Sequence, residues 1–324
     1  LIFFNFERIS KILNTYDLPN ERKFHKTKTP LLGGFIIAIN LLLFSILFLL
    51  GEFKDDNVLN FIFAKDFIFL IFFLSTILIF LIGLLDDKFN LNPNVKLFLL
   101  TIIISLTLWF DNSLLIQNLI FSFVDINLYL GKYSFVFTLM CILLFINACN
   151  MFDGINLQST SYFIFVILYL IIIGLNNNVI YFLLIPLLLI FILNKDEKIF
   201  MGDSGIYLIS FIMSYILIKI YNFDTKLSSD LIFILMMVPG IDMFRLFLLR
   251  LVNKKNPFSP DRNHIHHLLL KRYSYKKTII ILNLSILYPM ILIMLNFEKL
   301  FIILIYIIQY IILIIFLEKN KTNL

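Results

Sequence analysis

The residues able to do chemistry in this chain fall in short polar clusters between long apolar runs. Asp86 and Asp87 end one such run, in "GLLDDKFNLNPNVK". At the C-terminal end of a helix the dipole disfavours anions by about 0.3–1 kcal/mol each, and adjacent carboxylates repel each other. A divalent cation, or phosphate chemistry organised by one, would offset both costs. In "NACNMFDGIN", Asn147, Asn150 and Asp153 recur every three residues and make one slanted polar stripe on a helix. Capping accounts for Gly154 and Asp153, but not for two Asn a turn or two deeper, where polar groups need partners. "FMGDSG" precedes an apolar helix. Asp203 or Ser204 reads there as an N-cap or as part of a phosphate-binding helix start. "PFSPDRNHIHHLL" gathers Asp261, Arg262, His264, His266 and His267. No Cys is near to complete a zinc site, and Arg with His beside a membrane suits phosphate oxygens. "RKFHKTKTP" offers Arg22, Lys23, His25, Lys26 and Lys28, either as anion-binding groups or as a basic membrane flank. Asp242 and Arg245, three residues apart, are placed to pair on one helix face. A structural ion pair and a direct catalytic role account for them equally.

The elements that must carry these clusters are membrane helices. The 324 residues are 60% hydrophobic and only 15% charged, with a mean hydropathy of +0.96, well beyond the balance of soluble domains. Apolar runs long enough to cross a bilayer fall at roughly 35–50, 67–85, 95–110, 134–151, 158–174, 178–194, 204–220, 230–248, 278–296 and 300–317. The pattern predicts an all-α, polytopic membrane protein of about ten transmembrane helices, with one integral-membrane domain over 1–324. The mixed stretch 111–133 reads as an extracytoplasmic loop with a hairpin around Gly131. Cys141 and Cys149 stand about 12 Å apart along one helix, beyond disulfide reach. Most of the 27 Lys and Arg fall on the side that carries 1–34, 86–96, 147–157, 195–203, 245–277 and the tail. The positive-inside rule makes that side cytoplasmic. Every cluster above, and all 4 His, lies there. This predicts one site at the cytoplasmic membrane boundary, where the net +6 charge meets anionic substrates or headgroups. No ATP-binding motif is present. A secondary transporter is the competing class. It would gather polar groups near mid-membrane on paired broken helices, and neither pattern is seen.

In order and spacing, "RKFHKTKTPLLGG", "GLLDDKFNLNPNVK", "NACNMFDG", "FMGDSG" and "PFSPDRNHIHHLL" resemble the polyprenyl-phosphate N-acetylhexosamine-1-phosphate transferase superfamily, glycosyltransferase family 4. The resemblance runs from about Pro19 to Leu270 and implies cytoplasmic catalytic loops at 18–34, 86–96, 147–157, 194–205 and 250–277. It implies transfer of N-acetylhexosamine 1-phosphate from a UDP-sugar to a polyprenyl (undecaprenyl) phosphate, with release of UMP. That is a first membrane step of cell-surface glycan synthesis, such as lipopolysaccharide O-antigen or cell wall. By the same resemblance Asp203 would hold Mg²⁺, with Mn²⁺ as the second candidate. Asp86 and Asp87 would orient or deprotonate the lipid phosphate or help with the metal. Asp153 and Asn194 would hold the uridine part, and Asn147 and Asn150 would line the mouth of the site. Arg262, His264, His266, His267 and Lys28 would meet substrate phosphates. The spaced-His form resembles the branch acting on UDP-N-acetylglucosamine. The phospho-N-acetylmuramoyl-pentapeptide transferases of peptidoglycan synthesis, usually with three consecutive His, are the alternative. The implied setting is multi-pass in a bacterial inner membrane, as a homodimer, with no nucleic-acid partner. The family carries another span before the "RKFH" loop, so a further segment is expected ahead of Leu1. Asn156 stands where the family often has a second Asp, and Ile206 stands where it has a Ser.

Overall fold

Each apolar run is a helix in the computed structural model, which describes residues 8–12, 14–17, 28–124, 126–175, 178–223, 227–255 and 263–319. The helices are α1 (Gly33–Leu49), α2 (Asn57–Ile62), α3 (Asp66–Phe89), α4 (Pro93–Phe110), α5 (Ser134–Phe152) and α6 (Gln158–Ile172). They continue as α7 (Asn178–Lys195), α8 (Gly202–Phe223), α9 (Ser229–Val252), α10 (Ile265–Leu270), α11 (Tyr275–Met294) and α12 (Lys299–Lys319). Eight of these, α3, α4, α5, α7, α8, α9, α11 and α12, are long and apolar enough to cross a membrane. The other two predicted spans, α1 and α6, have 17 and 15 residues, short against the roughly 20 that a bilayer core asks for. The protein is an all-α, multi-pass membrane protein. Helices suit the bilayer because each satisfies its own backbone where no water can.

The bundle is organised around α8. Of its span 89% is buried, against 22% for α4 and 28% each for α11 and α12. The sequence of α8 explains this position, since Ser204, Gly205, Ser210 and Ser214 let neighbours approach closely. From α3, Gly83 meets the start of α8 so tightly that a Cβ would overlap the Ser204 backbone. The peripheral helices show apolar faces outward, as in α12 with Leu304, Ile308, Ile312 and Ile315. In lipid such faces are solvated surface.

Tight helix ends fix the geometry around Asp86 and Asp87. Asn90 closes α3 in the left-handed region at φ 48, its N–H bonded to the Asp86 carbonyl. Asn92 then caps α4 by accepting the Asn94 N–H at 3.0 Å, with Pro93 opening the helix. At the same end of the bundle, β1 (Tyr16–Asp17) pairs antiparallel with β2 (Thr29–Pro30). Phe200 N–H donates to the Pro30 carbonyl at 2.9 Å, and Gly33 N–H to the Phe200 carbonyl at 3.0 Å. These bonds tie the entries of α1 and α8 together.

The opposite end corrects one expectation. The predicted hairpin exists as β3 (Asn118–Ile120) against β4 (Asn127–Tyr129), so its turn precedes Gly131. Gly131, at φ 51, instead opens a 3-10 turn that leads into α5. At this end Lys219 is a buried partner of Asp111, with Nζ 2.8 Å from Oδ2. Both cysteines lie in α5 as free thiols.

Candidate active site

The end of the bundle that holds Asp86 and Asp87 encloses a cavity of about 1010 Å³. Segments distant in sequence wall it: the β1–β2 region, the end of α3, the α5–α6 turn, the end of α7, the start of α8, and the stretch from α10 to α11. Among the described lining residues six are acidic (Asp17, Asp86, Asp87, Asp153, Glu197 and Asp203) and two basic (Lys28 and Lys88).

The two carboxylates at the end of α3 are held by the protein itself. Asp86 is 2% exposed. It accepts the Leu91 N–H at 2.9 Å, Lys96 Nζ at 2.8 Å and the Tyr207 hydroxyl at 2.8 Å. Asp87 accepts the Asp203 N–H at 2.7 Å on one oxygen and the Ser204 N–H at 3.1 Å on the other. The unfavourable C-terminus of α3 therefore abuts the favourable N-terminus of α8, whose free amides attract an anion. Two sequence expectations change. The cap of α8 comes from Asp87, not from Asp203 or Ser204. Two of its N-terminal amides, read as a phosphate site, are already taken. Lys96 and Tyr207 partly offset the charge of Asp86, and the α8 amides that of Asp87.

Asp203 keeps its side chain toward the cavity, and Asn150 Nδ2 donates to its Oδ1 at 2.5 Å. That bond gives the Asn nearer the end of α5 a partner on α8. Asn147 instead turns back to the Leu143 carbonyl of its own helix at 2.8 Å. Neither Asn is a lining residue. Asp153 follows α5 and faces the cavity. Burial pushes its carboxyl up to about 6, nearby Asp87 adds to the rise, and the Ser159 hydroxyl partly opposes it. Asn194 lines the cavity, but its amide braces two loops. Oδ1 accepts the Leu157 N–H at 2.5 Å, and Nδ2 donates to the Ile199 carbonyl at 3.0 Å. Lys28 lies on the rim with Nζ 3.8 Å from the centre of the Tyr16 ring.

The histidines sit one layer behind the cavity wall. His264 and His266 are buried, and the three rings pack with centroids 4.3–6.4 Å apart. The His266 ring lies against Gly154, where a Cβ would fall inside it. Burial, with His267 and His264 alongside, holds His266 well below the ordinary His range, so its ring is neutral. The Asp242–Arg245 pair forms, with Nη2 2.8 Å from Oδ1. Arg262, with Arg22, Lys23, His25, Lys26 and Asp261, lies outside the described residues.

The donor set around the cavity suits Mg²⁺. That ion takes hard oxygen ligands, commonly one or two carboxylates completed by water and substrate phosphates. Asp203 leaves one carboxylate oxygen outside its Asn150 bond. Among the described residues no three Asp, Glu, His or Cys form a metal-holding group.

Sequence reading missed Lys96 and Tyr207 as the partners of Asp86. Tyr207 carried a signal, because it stands four residues after Asp203 and so on the same helix face. Tyr275, which donates to the Asn156 carbonyl at 2.9 Å, carried none.

Residues 69–221 match the sequence model of Glycosyl transferase family 4. Similar proteins include the undecaprenyl-phosphate alpha-N-acetylglucosaminyl 1-phosphate transferase of Thermotoga maritima, 29% identical over 266 residues, covering 82% of this chain and 76% of the relative. Proteins of the same name from Escherichia coli O157:H7 and Yersinia pestis are 29% and 27% identical, over 84% and 79% of this chain and 73% and 69% of their own lengths. The stretch that matches the family model contains Asp86, Asp87, Asp153, Asn194 and Asp203, the residues that build the carboxylate cluster and its braces.

Proposed function

We propose that this protein transfers N-acetylglucosamine 1-phosphate from UDP-N-acetylglucosamine to undecaprenyl phosphate and releases UMP. The observation that carries the reading is one cavity at the edge of the bundle where Asp87, Asp153 and Asp203 converge from three separate helix ends. The relatives act on undecaprenyl phosphate by name, and a lipid acceptor fits this site. Leu81, Leu85 and Phe89 are exposed apolar residues along the end of α3 that carries Asp86 and Asp87, a path along which a polyprenyl tail stays in hydrocarbon while its phosphate enters the cavity.

An oxygen of the lipid phosphate bonds to the β-phosphorus of the nucleotide sugar. The bond from that phosphorus to the bridging oxygen breaks, and the electron pair leaves with UMP. One diphosphate linkage replaces another, so the reaction runs near balance without ATP. Asp203 would hold Mg²⁺ with the substrate diphosphate, and when bound the ion screens the converging negative charges. Asp87 faces the cavity and is held by the α8 amides, so it is the carboxylate of the pair suited to orient the lipid phosphate. Asp86, sealed by Lys96 and Tyr207, holds that helix end in place. Asp153 contributes a carboxylate beside the nucleotide. The concentration of Lys and Arg at this end supports a site on the cytoplasmic face, in keeping with a bacterial inner-membrane enzyme.

The test is purified protein with undecaprenyl phosphate, Mg²⁺ and one donor at a time: UDP-N-acetylglucosamine, its galacto relative, or the muramyl-pentapeptide nucleotide. Lipid-linked sugar from UDP-N-acetylglucosamine, reversed by added UMP, is the expected result. Close N-acetylhexosamines should show some cross-activity. Product from the muramyl nucleotide alone would overturn the reading in favour of a peptidoglycan precursor enzyme.

A further inference from the structure

Asp242 is 3% exposed within α9 and takes hydrogen bonds from three elements. Arg245 Nη2 donates to Oδ1 at 2.8 Å, and the Tyr310 hydroxyl of α12 donates to the same oxygen at 2.6 Å. Oδ2 faces His264 Nδ1 at 3.1 Å. Arg245 reaches further, with Nε on the Tyr310 hydroxyl at 2.8 Å and Nη2 on the Asn263 carbonyl at 2.6 Å. The chain entering α10 is thus gripped at Asn263 and again at His264. A simple ion pair would need Arg245 alone; it gives no reason for Tyr310 and His264 to converge on the same carboxylate.

The chemistry of the contact fixes a proton. A carboxylate paired with Arg can only accept, so Nδ1 of His264 carries the hydrogen between them, and Nε2 lies on the far edge of the ring. The His264 ring stacks on His266 at 5.4 Å with planes 6° apart. His266 in turn abuts Gly154, the neighbour of Asp153 in the cavity wall. Asp242, Arg245 and Tyr310 do not line the cavity, so they act on it through the histidines and through the α10 backbone they hold.

We infer that Asp242, with Arg245 and Tyr310, is a positioning brace: it sets the tautomer and plane of His264 and, through the ring stack, the seat of His266 beneath Gly154. As a statement about catalysis this rests on the transferase reading; as a statement about His264 it stands alone. Both are tested on the full chain purified in detergent.

For catalysis, Asp242→Asn should lower kcat about 10–100-fold, the usual scale for a group that orients an active-site residue. KM for the UDP-sugar should change by no more than about twofold. Tyr310→Phe, the gentler change, should act in the same direction. In a His264→Ala background, Asp242→Asn should remove less than about twofold more, because the two residues act as one unit. Full additivity would overturn the brace. For the tautomer, ¹⁵N NMR of histidine-labelled protein, with His264 assigned by its loss in His264→Ala, should show Nδ1 protonated in the wild type and that preference lost in Asp242→Asn. Protonation at Nε2 instead would overturn the brace whatever the activity. A wild type that transfers nothing, yet shows Nδ1 protonated, would sink the transferase reading and leave the brace standing.

Discussion

Replacing Asp153 by Asn should stabilise the folded protein while removing its activity. Burial raises this carboxyl from 3.8 to about 6, with Asp87 contributing in the same direction. An acid raised on folding holds its proton more tightly folded than unfolded. Charging it therefore costs stability as pH climbs from its unfolded to its folded value, and the full cost applies above about 6. At about 1.4 kcal/mol for each tenfold change in proton affinity, the cost at neutral pH is up to about 3 kcal/mol, reduced by the water that reaches Asp153 from the cavity. Asn has the same shape and no charge to bury. Thermal unfolding of both forms in detergent at about pH 5 and about pH 8 separates the effects, because at the lower value only about half the cost has developed. The Asn variant should melt higher at both, with the larger gain at pH 8. A variant that melts no higher at pH 8, or gains equally at the two values, would refute the reasoning. Loss of transfer in the same, more stable protein would mark Asp153 as a group kept for function at the expense of stability.

Asp203→Asn should abolish transfer and flatten its dependence on Mg²⁺; wild-type turnover at low Mg²⁺ in this variant removes Asp203 as the metal ligand. Gly154→Ala should displace the His266 ring and lower activity at least about 10-fold, while the protein still elutes as a folded species; unchanged activity would show that His266 need not sit where it does. Lys96→Met leaves the buried Asp86 carboxylate without one of its donors and should cost about 1–3 kcal/mol of stability, read as a lower melting temperature above the carboxyl range; no change there would mean that Tyr207 and the Leu91 N–H suffice. Single Cys at Lys88 or Asn263, in a Cys-free background, should be shielded from an impermeant thiol reagent in intact cells, and labelling of Asn263 from outside would invert the proposed orientation.

The helices were legible in the sequence because the bilayer sets their length and leaves few other structures for the backbone. Even the turn from α3 to α4 could be read from Asn90, Asn92 and Pro93, which act within a few residues of themselves. The common location of the polar clusters was legible too, since alternate ends of successive helices return to one face. What each carboxylate does was not. The partner of Asp87 is an amide 116 positions away and that of Asp86 a tyrosine 121 away, brought near only because Gly83 lets α3 press against α8. Sequence alone therefore read the helix dipole at Asp87 as a penalty, and the tertiary contact adds the opposite end of another dipole. The family resemblance made Asn194 and Asn147 binding groups. Which hydrogen bonds a side chain makes is a property of its neighbours in space, and these close bonds within the protein. Asp242 could be paired with Arg245 from spacing, but Tyr310 and His264 come from other elements, and only the packing of α12 and α10 against α9 decides that the pair is also a support for the histidines.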